Sequence, residues 1–99
     1  MFNPIETPIQ IGGHSIVTEY AEALADRPKI VGCFCPQTDT ISIRQDLPEP
    51  YKTQTWLHEL NEAINYIWLA DKMAHEHIEA HSQALLQILP QLGAQITWT

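Results

Sequence analysis

The chain has 99 residues, 44% of them hydrophobic, and sets twelve acidic residues against five basic ones for a formal net charge of −7. That length predicts one domain over residues 1–99, and the apolar fraction excludes a disordered chain. The five basic residues, Arg27, Lys29, Arg44, Lys52 and Lys72, are scattered, which argues against nucleic acid or an anionic membrane as the partner.

Residues 1–8 carry Pro4 and Pro8 and read as irregular. Ile9-Gln10-Ile11 and His14-Ser15-Ile16-Val17 flank Gly12-Gly13, the pattern of a β-hairpin with a tight turn. Glu19 to Asp26 is rich in Ala and Glu and predicts a short helix with Thr18 as its candidate cap. Lys29 to Cys35 is β-branched and aromatic and predicts a strand, followed by a turn at Pro36-Gln37-Thr38-Asp39. Thr40-Ile41-Ser42-Ile43-Arg44 alternates, so Ile41 and Ile43 should face a core while Thr40, Ser42 and Arg44 face outward.

Two helices follow. Pro50 suits the first turn of a helix running to about Asp71, whose apolar stripe is Leu57, Leu60, Ile64, Ile67 and Trp68. A second helix spans about Ala74 to Leu89, buries Ile78, Leu85, Leu86 and Leu89, and should stop at Pro90. Gln95-Ile96-Thr97-Trp98 reads as a terminal strand or a loose end. Strands first and helices second predict an α+β fold: a small antiparallel sheet of hairpins packed against a long motif helix and a second, C-terminal helix.

Chemistry concentrates on the helices. His58 and Glu62 lie one turn apart on one face of the first helix, a spacing that lets two side chains grip one metal ion. Glu59 is rotated about 100° from His58 and stays near the site. In His-Glu-x-x-His enzymes two histidines bind zinc and the Glu is the general base. Here Glu62 stands at the second ligand position, and carboxylate oxygen is an acceptable zinc ligand. The second helix, His75-Glu76-His77-Ile78-Glu79-Ala80-His81, offers a third ligand. His75 is favoured, with Glu76, Glu79 and His81 as alternatives, and His77 reads as a solvated residue. His14 reads as a plain surface residue.

The only cysteines, Cys33 and Cys35, sit two apart on a strand and point to one face. A disulfide between them would be strained, so they read as small, partly buried residues, with a Cys-x-Cys metal pair as the lesser reading. The absence of a disulfide framework, of a basic and apolar leader at Met1 to Gly12, and of a membrane-length apolar run predicts a cytoplasmic chain.

Thr40-Ile41-Ser42-Ile43, Thr55-Trp56-Leu57-His58-Glu59-Leu60-Asn61-Glu62-Ala63-Ile64-Asn65-Tyr66-Ile67 and His75-Glu76-His77-Ile78 together resemble small phage and prophage proteins of minimal zincin type. These are distant relatives in pattern of the SprT-like and ImmA/IrrE-like metallopeptidases. The resemblance runs from Lys29 to Leu89 and departs from the family pattern at Glu62, where a histidine is usual. It implies a zincin-like fold, zinc held by His58, Glu62 and His75, and Glu59 as catalytic acid–base. It further implies that the strand at Thr40 to Arg44 is the edge that binds an extended peptide, in the cytoplasm of a bacterial host. Two functions follow as expectations. One is a zinc-dependent hydrolase of peptidase type. The other is a non-catalytic phage accessory protein whose structural or vestigial metal site supports binding to a host or phage protein.

Overall fold

A computed structural model describes residues 1–21 and 30–99 of the chain. Its elements are β1 (Ile9–Ile11), β2 (His14–Tyr20), β3 (Gly32–Cys35), β4 (Thr40–Ile43), α1 (Glu49–Trp68) and α2 (His75–Gln91). The fold is α+β: a mixed four-stranded sheet of order β1-β2-β4-β3, with α1 against one face and α2 against α1.

The first hairpin forms as its sequence dictates. Ile11 pairs with His14 across Gly12-Gly13, and Gly12 takes φ +58°, a conformation glycine adopts without steric penalty. β2 runs further than the Ala/Glu-rich pattern predicts: Glu19 and Tyr20 pair with Ser42 and Ile43 instead of opening a helix. Sheet pairing, and the packing of Tyr20 against Trp98, outweigh a weak local helix preference. The rest of the predicted helix, residues 22–26, lies outside the described residues.

The sheet is not purely antiparallel. β3 and β4 form a hairpin, but its second arm, β4, is the one that docks on β2, so β2 and β4 run parallel. The choice follows from the side chains. Ile41 and Ile43 alternate on one face of β4 and are both 0% exposed, whereas β3 offers Gly32 and two cysteines. The strand with the larger β-branched load takes the central place. This corrects the expectation that Thr40 to Arg44 is an exposed edge: β4 is paired on both sides, and β3 is the edge strand.

The core lies between the sheet and α1. Ile11, Ile16, Ile41 and Ile43 meet Trp56, Leu57 and Ala63 there, and Trp98 closes the cluster. Both buried indoles have partners, Trp56 Nε1 donating to Thr18 Oγ1 at 2.9 Å and Trp98 Nε1 to Thr53 Oγ1 at 3.0 Å. Trp98 is reached because Phe2 and Ile96 form a parallel bridge that holds the tail in place. Trp68, assigned to the apolar stripe of α1, is instead 64% exposed, with only one edge of its indole beside Gly12 in the β1–β2 turn. Among the described residues no element packs on the opposite face of the sheet, called the open face below; Val17 there is 46% exposed.

α2 is positioned by polar groups. On α1, Asn61 and Asn65 are buried one turn apart. Asn61 Nδ2 donates to Leu57 O at 2.9 Å and to Ser82 Oγ at 3.2 Å, and Ser82 in turn donates to Ile78 O at 2.7 Å. Asn65 Oδ1 accepts from Met73 N at 2.9 Å and its Nδ2 donates to Met73 O at 3.2 Å, fixing the chain just before α2 begins. α2 continues one residue beyond Pro90, which sits in the last turn, and ends at Leu92 with Gly93 in a left-handed conformation at φ +80°.

Two outcomes check this packing. Ile41→Ala should lower unfolding stability by about 2–5 kcal/mol, while Val17→Thr on the open face should change it by less than about 0.5 kcal/mol, read from urea midpoints. Asn65→Ala should cost about 1–3 kcal/mol, because it leaves the Met73 backbone groups without their partner.

Candidate metal centre

His58, Asn61 and Asn65 lie on one face of α1, three and four residues apart, the spacing that turns side chains toward a single neighbouring helix. With Asn61 and Asn65 bonded to α2 and the turn before it, His58 is held against the first two turns of α2. His75 and Glu79 lie there, one turn apart.

The contacts are close. His58 Nδ1 lies 2.8 Å from Glu79 Oε2, and the His58 and His75 rings meet edge to face at 5.0 Å. His58, His75 and Glu79 each offer a ligand atom within 4.8 Å of the other two, a grouping found nowhere else among the described residues. Side-chain exposure rises across the group, from 17% for His58 to 49% for Glu79 and 75% for His75.

The donor set fits a first-row divalent cation. Two imidazole nitrogens and one carboxylate oxygen are a zinc-type set, three protein ligands with a fourth position open. Bonds of about 2.0–2.2 Å in tetrahedral geometry bring neighbouring ligand atoms to about 3.4 Å. Rotation of the two exposed side chains, His75 and Glu79, supplies that contraction without moving a helix axis. With no cation bound, the His58–Glu79 contact is an interhelical hydrogen bond of modest worth.

The residues singled out from sequence fall in different places. His58 and His75 are in the group. Glu79, an alternative for the third ligand, is in it as well. Glu62 Oε1 lies 3.9 Å from His75 Nδ1, beside the group and outside its three mutually close atoms. Residue 62 is rotated about 100° from Asn61, which faces α2, so Glu62 flanks the seam between the helices. Glu76, His77 and His81 are exposed. His14 bonds Asp39, Nδ1 to Oδ1 at 3.0 Å, at the far end of the sheet.

Glu59 turns toward β3. Its carboxyl is held above its ordinary pKa, chiefly by burial; the positive potential of His58 opposes that shift, the neighbouring Glu62 charge adds to it, and the Phe34 backbone N–H favours the ionised form. α1 comes this close to the edge strand because residue 32 is glycine: a Cβ there would stand 2.6 Å from Thr55 Cγ2. A groove of about 340 Å³ runs between residues 30–32 and Gln54, Thr55, His58 and Glu59, with Glu79 on its α2 side. Another cavity, about 330 Å³ between α1, the end of α2 and the C-terminal tail, is lined by Leu57, Leu85, Leu89 and Ile96 and has no titratable group in its wall. His58 and Glu79 of the metal-ligating group thus line the first groove together with Glu59.

No protein family, curated protein or solved structure matches the chain.

The Glu59 environment gives a pH signature in metal-free protein. Because burial raises its folded-state pKa above 4.5, the folded chain holds this proton more tightly than the unfolded chain does. The associated stability is fully present below pH 4.5 and is lost as pH rises through the folded-state value. Glu59→Gln, uncharged throughout, should therefore be more stable than the parent at pH 7 in chelator-treated samples, with the difference shrinking toward zero as pH is lowered; urea unfolding across that range reads it.

Proposed function

We propose that this chain is a zinc-dependent hydrolase of peptidase type, its cation held between the two helices by His58, His75 and Glu79, with Glu59 as the acid–base group. The observation that carries the reading is the convergence of three ligand atoms within 4.8 Å beside a groove that also holds Glu59. A zinc ion in a three-ligand site supplies Lewis acidity at its open position, toward a carbonyl oxygen and toward water.

The remaining roles belong to the protein. Glu59, partly desolvated, accepts a proton more readily than an ordinary carboxylate, which suits a group that takes a proton from water and returns it to a leaving amine. Among the described residues β3 is the outer strand on the side of this groove, so an extended peptide could pair with residues 30–32 and lie along His58 and Glu59. Glu62, at 3.9 Å from His75 Nδ1, stands beside the group without entering it.

A second reading has its own support. The three ligands come from both helices, and the Phe34 N–H already engages Glu59. On this reading the cation is a staple joining α1 to α2, and the domain is a non-catalytic module that binds a host or phage protein.

Elemental analysis of the purified chain and one substitution separate the two. About one zinc per chain is expected, lost in His58→Ala and in Glu79→Ala, and zinc at 100-fold excess over its Kd should stabilise the fold by about 2.7 kcal/mol. Glu59→Gln should keep the zinc and lower peptide hydrolysis by about 10²–10⁴-fold. Retained zinc with no hydrolysis of any extended peptide by the parent protein would favour the staple; absence of zinc binding would overturn both readings.

A further inference from the structure

The open face of the sheet carries the two side chains that the helix site does not use. Cys33 and Cys35 pair across β3–β4 with Ser42 and Thr40, so both thiols stand on the face away from α1. Both are free, Cys33 exposed and Cys35 half-buried. Each has local partners: the Cys33 thiol meets the Ser42 hydroxyl, and Cys35 Sγ donates to Gln37 Oε1 at 3.3 Å. The two sulfurs are near enough for a charge on one to disfavour a charge on the other, and Glu59 and Glu19 add negative potential at Cys33. A bound cation would relieve all three repulsions.

The strand decides what the pair can take. Residues two apart on an extended strand have Cα atoms about 6.6–6.8 Å apart, at or beyond the upper limit of a disulfide. A direct sulfur–sulfur bond would therefore bend β3 out of register. An ion between the sulfurs, with metal–sulfur bonds of about 2.3 Å, places them about 4–5 Å apart, within reach of ordinary side-chain rotation. The described residues supply no third strong ligand. Among the described residues no group of three close His, Cys, Asp or Glu ligands includes a cysteine, and the flanking hydroxyls of Thr40 and Ser42 are poor donors to a soft ion. Zinc, which takes four ligands, would be left half-coordinated. A soft monovalent ion satisfied by two thiolates would not.

We infer that Cys33 and Cys35 form a two-thiolate site for a soft monovalent cation, copper(I), on the open face of the sheet. Binding forms two copper–sulfur bonds and releases the two thiol protons to solvent, with no change in oxidation state. The Cys35 side favours that release, since the Thr38 side chain and the Thr38 and Gln37 backbone N–H groups lower its pKa, whereas burial first and then the Glu59 charge raise that of Cys33, a cost the metal–sulfur bond must offset.

The test is anaerobic competition of the reduced full chain against a chromophoric copper(I) chelator, with alkylation by iodoacetamide counted by mass spectrometry. The parent chain should withhold one copper per molecule, and copper should protect both thiols from alkylation. Cys33→Ser and Cys35→Ser should each weaken retention by about 100-fold or more, and His58→Ala should leave it unchanged, which keeps this site separate from the helix site. Both cysteines project from the open face, so the serine variants should unfold at the parent's urea midpoint. Copper lost to the chelator as readily by the parent as by the double serine variant would overturn the inference. So would copper retention that disappears with His58→Ala.

Discussion

The register of α2 against α1 rests on two buried asparagines. Each satisfies its amide with groups that exist only when the helices are correctly placed: the Ser82 hydroxyl for Asn61 and the Met73 backbone for Asn65. A slide of one residue would leave buried amides without partners, at roughly 1–3 kcal/mol each, more than most rearrangements of exposed side chains could recover. Leu85, Leu86 and Leu89, only partly buried, would resist such a slide weakly, and of the apolar side chains of α2 only Ile78 is fully buried. The amides therefore fix position while the isoleucine and tryptophan core supplies cohesion.

Everything at the candidate metal centre follows from that register. His58 continues the face of α1 that bears Asn61 and Asn65, so whatever fixes those two amides also fixes which residues His58 meets. It meets His75 and Glu79. The site is built on helices, not loops, which suits a constellation whose ligand atoms must converge to within an ångström or two. Its openness to solvent, greatest at His75, leaves room for a fourth ligand and for the side-chain rotation that binding requires.

The sheet contributes in a different way. By taking the centre, β4 leaves β3 at the edge, and Gly32 allows α1 to approach that edge closely. The result is a groove bounded by the outer strand of the described sheet on one side and by His58 and Glu59 on the other. Reversing the order of the two strands would move that outer edge away from the helix site.

Much of this was legible in the sequence. The Gly12-Gly13 hairpin, the inward Ile41 and Ile43 and the two helices all follow from local periodicity and turn chemistry, which act over a few residues. The parallel pairing of β2 with β4 does not, because either arm of the second hairpin could have docked and only the competition for the buried centre selects one. The extension of β2 through Tyr20 likewise depends on a partner strand distant in sequence. At the site, spacing alone favoured the one-turn pair His58–Glu62 with His75 as the third ligand, and left Glu79 as an alternative to His75. Which carboxylate joins the two histidines was decided by the rotation of each helix about its axis, and the asparagine–serine and asparagine–backbone bonds between the helices set that rotation.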